Sequence, residues 1–148
     1  MRAEDLVEQF PVVNIDSPAL DAVRLLAEHR LTGLVVGTDT SDKPYAVLPA
    51  SQVVRFLVPG YVQDDPGLAG VLTESMADHA VDTLSGKTIR DVLPHKRQHV
   101  PVVDANDTII EVAEVMARMH SPLVTVDKDG KLQGVITASR LLAAALEL

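Results

Sequence analysis

Hydrophobic and polar positions along this 148-residue chain follow two periodicities in a fixed order, and the order occurs twice. Val12–Ile15 and Val100–Val103 are short β-branched runs that predict strands. Leu20, Val23, Leu26 and Ala27 then share a face at helical spacing, as do Ile109, Val112, Ala113, Met116 and Ala117. Asp21, Arg24 and Glu28 in one stretch, and Glu111, Glu114 and Arg118 in the other, are left for solvent. Apolar runs follow at Leu34–Val36 and Leu123–Val126, each leading through a polar turn (Asp39–Pro44, Asp127–Gly130) into another strand, Tyr45–Leu48 or Leu132–Thr137. Helical patterns at Ser51–Leu57 and Ser139–Leu146 close the two series.

Superposing Val12-Val13 on Val102-Val103 gives an offset of 90 residues, which falls to 88 where Ser51 meets Ser139. The first series therefore carries two extra residues, most economically in its Asp39–Pro44 turn. Ser17 before Pro18, and Asp107, stand where helix N-caps are expected. Arg2–Val7 and Thr88–Leu93 match as short helices leading into each series. The reading is an α+β chain of two strand-helix-strand-strand-helix repeats: residues 1–58, a helical linker over 59–87 with one or two short helices, and residues 88–148.

Composition narrows what such a repeat can do. Without cysteine there are no disulfides, thiolate metal sites or cysteine nucleophiles. Two Tyr, two Phe and no Trp leave an aliphatic core. A net charge of −8 opposes nucleic-acid binding, which needs Lys and Arg to neutralise phosphates. MRAEDLVEQF has early acidic residues and no apolar run, and nowhere do 18 apolar residues run in succession, so a cytoplasmic protein without membrane insertion is expected. No G-x-S-x-G, P-loop, G-x-G-x-x-G or H-E-x-x-H occurs, so no enzyme is expected. His95 and His99 have the spacing of helical metal ligands, but Pro94 and Pro101 bracket a loop, so no metal site is expected either.

The second half, IRDVL followed by VPVVDANDTIIEVAEVMARMHSPLVTVDKDGKLQGVITASRLL, resembles the CBS domain family, named after cystathionine beta-synthase. The hairpin with Gly130, Gly134 and Thr137 carries the resemblance most specifically. NIDSPALDAVRLLAEHRLTGLVV and YAVLPASQVVRFL match more weakly. The resemblance implies a pseudo-two-fold CBS pair, a Bateman module of the stand-alone bacterial type. It also implies regulation of a separate effector (enzyme, channel or transporter) by an adenosine-containing ligand: AMP, ADP, ATP or S-adenosylmethionine. No cofactor is obligatory. The alternative is a dimerising scaffold without nucleotide binding. A homodimer is expected from the aliphatic helices Val53–Val58 and Leu141–Leu146, which exceed what one small core needs.

In the family, a Thr or Ser ending the third strand meets phosphate, and an Asp three residues later holds the ribose diol. This chain has Thr137 but Arg140, which has donors and no acceptor and so suits phosphate and not a diol. The first half has Pro49 and Gln52 at those positions, losing a hydroxyl and an N–H. The second-half site is thus altered, and the first-half site is expected to be lost. The resemblance adds Val102, Val103, Ser121, Pro122 and Leu123 as adenine-pocket candidates. The basic run His95–His99, with Lys96 and Arg97, is a candidate phosphate attractor.

Overall fold

A computed structural model describes residues 1–71, 76–96 and 99–147. The first repeat comprises α1 (Ala3–Leu6), β1 (Val12–Asn14), α2 (Ala19–Glu28), β2 (Gly33–Thr38), β3 (Ser41–Pro49) and α3 (Ala50–Leu57). The linker holds α4 (Gly60–Asp64), a 3-10 turn at Pro66–Val71 and α5 (Met76–Leu84). Then come α6 (Ile89–Val92), β4 (Val102–Asp104), α7 (Ile109–Met119), β5 (Leu123–Lys128), β6 (Lys131–Thr137) and α8 (Ala138–Ala145). The order is that read from the sequence.

The repeats form two three-stranded sheets, β1-β2-β3 and β4-β5-β6, in which the first pair is parallel and the second antiparallel. Parallel neighbours need a crossover, which α2 and α7 supply. Each helix buries its apolar stripe on its sheet, with Leu20, Val23, Ile109 and Ala113 half-buried at its edge. Ala19, Ala22 and Leu26 are buried in α2, and Val112 and Met116 in α7, whereas Ala27 and Ala117 are exposed.

The caps also differ from expectation, by one residue. Pro18 holds the N-cap position of α2, and Thr108 that of α7, where its hydroxyl accepts from the Glu111 N–H. Ser17 and Asp107 are engaged elsewhere. The Ser17 carbonyl accepts from Ile89 N–H (3.1 Å), the Asp107 carbonyl accepts from Ala3 N–H (2.8 Å), and the Asp107 carboxylate closes its turn on Asp104 N–H.

Those carbonyls mark how the halves interlock. Each lead-in helix packs into the other repeat. Ala3 and Leu6 of α1 join the core of Val103, Val112, Val124, Val126 and Ile136. Ile89 and Val92 of α6 join that of Leu26, Leu34, Val36 and Leu48, which Leu84 of α5 completes. A third cluster, Val35 with Leu123 and Val135, joins the two sheets. The two extra residues of the first repeat fall inside β3: Ser41 pairs with Thr38 and Ala46 with Val36, while Lys131 pairs with Lys128 and Gly134 with Val126.

Candidate functional site

The two repeats would make equivalent clefts if their lead-in connections were equal. They are not. Residues 8–10 join Val7 to Pro11, whereas residues 94–100 join Leu93 to Pro101. The short connection is drawn straight along β6. Glu8 N–H donates to the Val135 carbonyl (2.8 Å), and Val135 N–H donates to the Glu8 carbonyl (2.9 Å). The Gln9 amide donates to the Gln133 carbonyl (2.8 Å), and Phe10 packs on the Val35–Leu123–Val135 cluster.

Such closeness requires Gly134, whose φ is +150° and whose missing Cβ would collide with the Glu8 carbonyl and, at 2.8 Å, with Val7. The first repeat has Ala46 where the second has Gly134, and Pro94, without an N–H, where Glu8 stands. Its longer connection cannot seal the sheet edge in the same way.

An open cavity of about 1250 Å³ lies on that side. Its apolar wall includes Ile15, Leu31, Val47 and Leu93, Pro49 and Gln52 stand at the start of α3, and His120, Ser121 and Pro122 come from the second repeat. Gln52 is held in place by donating from Nε2 to the Val92 carbonyl (3.0 Å), which leaves its amide oxygen as an acceptor. Ser121 donates to the Leu123 carbonyl (2.6 Å). A second cavity of about 450 Å³ adjoins the first through Val47, Pro49, His120, Ser121 and Pro122, and is otherwise lined by Lys96, His99, Pro101 and Met119.

The polar side chains around the cleft are unequally satisfied. Arg90 is paired with Asp16 (3.1 Å), and the Asp91 carboxylate accepts from the Thr88 N–H (2.9 Å) and hydroxyl (3.2 Å). The Thr88 backbone N–H, foremost, holds the Asp91 carboxyl below the ordinary carboxylate range. His95, Lys96, His99 and His120 have no hydrogen-bonding or ion-pair partner for their side chains among the described residues.

The residues singled out in the sequence thus scatter. Ser121 and Pro122 line both adjoining cavities and Lys96 the smaller one; Arg97 lies outside the described residues. Val102 is 52% exposed beside a separate cavity of about 370 Å³. Val103 and Leu123 are fully packed core, without surface to offer a ligand. Thr137 is 8% exposed and its hydroxyl caps α8 by accepting from Arg140 N–H (3.2 Å), while the Arg140 side chain is exposed and unpaired among the described residues.

Neither Thr137 nor Arg140 lines any of the three cavities. The large cleft instead flanks Pro49 and Gln52, on the side where the motif expectation placed a lost site. The signal for it was the unequal length of the lead-in connections, with Ala46 facing Gly134 across the repeat.

Among the described residues, no group of three metal-ligating side chains converges, and no helix is long and apolar enough to cross a membrane. The family model for the CBS domain matches residues 3–59 and 89–147. The fold is similar to that of a CBS domain-containing protein of unknown function from Kribbella flavida DSM 17836, with 54% identity, 99% of each chain covered and a TM-score of 0.86. It is also similar to the CBS-pair protein CBSX2 from Arabidopsis thaliana, at 20% identity over 99% of this chain and 94% of that one, with a TM-score of 0.72. A structure of CBSX2 in complex with AMP matches at 21% identity over 99% and 96% of the two chains, with a TM-score of 0.67. No curated protein matches significantly.

Proposed function

Because this chain belongs to the CBS domain family, we propose that it is a regulatory module that takes an adenosine-containing ligand between its repeats and signals to a separate partner protein. The observation carrying this reading is the open cleft of about 1250 Å³ lined by both repeats, large enough for a nucleotide. Its apolar wall suits a flat base, and the Gln52 oxygen can accept from a ribose hydroxyl, although with less charge than a carboxylate. Occupancy would bridge His120–Pro122 of the second repeat to α3 of the first and to α6, which packs in the first core, so binding would bias how the repeats sit together. CBSX2 in complex with AMP offers a precedent in a distant relative.

The test is thermal denaturation with AMP, ADP, ATP and S-adenosylmethionine. A ligand at about 100 times its Kd stabilises the fold by about 2.7 kcal/mol, a shift of several degrees. The shift should disappear in Ser51→Trp, which fills the cleft from an exposed position, and persist in Thr137→Ala. No shift with any of the four overturns the reading. It would favour the second one, a dimerising scaffold without nucleotide, to which Pro49 at the phosphate position lends support. In either case a homodimer is proposed through the exposed faces of α3 and α8, where Val54, Leu142 and Leu146 are more than half exposed. A monomer by light scattering at tens of micromolar, roughly the range for a stable interface, would refute it.

A further inference from the structure

Resting on that reading, we infer that the cleft selects a phosphorylated ligand and holds its phosphates against His95, Lys96, His99 and His120, not at the N-terminus of α3. The N-terminus of α3 is poorly equipped: Pro49 has no N–H, and the Ala50 N–H is spent on the Thr32 carbonyl (2.9 Å). The opposite wall carries one ammonium group and three imidazoles. His95 and His120 line the large cavity, and Lys96, His99 and His120 line the one adjoining it.

These four side chains have no partner among the described residues. Among the described residues, Asp91 is the one carboxylate lining the two cavities, and it is engaged by Thr88, as Arg90 is by Asp16. On a chain of net charge −8, a patch without compensating carboxylates is where an anion can approach. Most of the patch rides on the very residues that lengthen this connection relative to its counterpart, so opening the cleft and lining it with hydrogen-bond donors are one feature of the sequence.

The chemical class follows. A nucleotide gains charge-assisted hydrogen bonds to imidazole and ammonium groups, more with each phosphate. Adenosine gains none of these, and S-adenosylmethionine brings a sulfonium cation toward the Lys96 ammonium.

The experiment is titration calorimetry of the full chain with ATP, AMP, adenosine, S-adenosylmethionine and inorganic tripolyphosphate, at about 50 and about 300 mM salt, where screening differs markedly. ATP should bind at least roughly tenfold more tightly than adenosine, with a preference that shrinks at the higher salt. Tripolyphosphate alone should bind weakly. The double variant Lys96→Ala, His99→Ala, both at exposed positions that line the adjoining cavity and not the large one, should lose roughly tenfold in ATP affinity while its adenosine affinity and thermal midpoint stay unchanged. Adenosine or S-adenosylmethionine binding as tightly as ATP would overturn this inference and leave the adenosine-sensing function standing. ATP affinity unchanged in the double variant would also overturn it. Tripolyphosphate binding without any contribution from adenosine would support the anion site and sink the adenosine reading; no binding by any of the five would overturn both.

Discussion

At the scale of single residues, the difference between the two clefts rests on what can stand beside a backbone. Gly134 adopts a φ of +150°, which side chains resist, and its missing Cβ is what lets Glu8 pair with Val135. Gly134→Ala should therefore cost about 2 kcal/mol or more in urea denaturation, combining backbone strain with overpacking. Ala46→Gly, its counterpart, should cost only about 1 kcal/mol, from backbone entropy. Equal losses would show that the Glu8 contact does not set the difference. Asp91 gives a prediction in pH. Its folded pKa lies below the unfolded value, so its contribution to stability is complete above the unfolded pKa and is lost as pH falls through the folded one. Asp91→Asn should thus lower the thermal midpoint at neutral pH, and the gap from the natural chain should close as the solution is made acid. A gap constant with pH would mean that the carboxylate charge plays no part in the Thr88 turn.

At the scale of elements, Thr137 links the sequence reading to what the structure adds. Its place before α8 was legible, but its hydroxyl serves the helix, accepting from Arg140 N–H. Replacing it by alanine should cost about 1 kcal/mol of stability and by serine much less, as for other N-caps. Ligand-induced stabilisation of either variant should match that of the natural chain, and its loss would return Thr137 to the binding site. Element order and the repeat were readable because hydrophobic period depends on local geometry, which every residue reports. The faces of α2 and α7 include Leu26, Val112 and Met116 as read, while Ala27 and Ala117 fall outside them because alanine is apolar yet too small to decide a face. The candidate site was harder to read. Ser121 and Pro122, chosen from their corner, line the cavities, while Val103 and Leu123, on equally apolar strands, point into the core. Which of two matched clefts stays open depends on a connection length and on a glycine paired with an alanine far away in the chain, and no local pattern contains that comparison.

At the scale of the whole molecule, the crossing of the lead-in helices makes the two repeats one folding unit. The first core includes Leu84, Ile89 and Val92, which lie beyond residue 58, and the second includes Ala3 and Leu6, which precede it. Fully burying each Leu, Ile or Val contributes about 1.5–3 kcal/mol, so losing three from one core removes several kcal/mol. Against a typical domain stability of about 5–15 kcal/mol, neither half retains enough to fold alone. Chain fragments 1–58 and 88–148 should each give the circular dichroism of an unfolded peptide, whereas the full chain should melt in one transition seen alike by far-ultraviolet dichroism and tyrosine fluorescence. Joining α6 to the first fragment through a short linker should restore much of its helix and strand signal, because it returns Ile89 and Val92 to the core and the Ile89 and Arg90 N–H donors to the Ser17 and Ile15 carbonyls. If fragment 1–58 folded unaided, the exchanged helices would be accessories to two independent domains, and a ligand between the repeats could move one without straining the other. If only the restored fragment folds, the helix that completes the first core is also the one that carries Arg90 and Asp91 into the cleft wall. Occupancy of the cleft would then act directly on the element that binds the halves together.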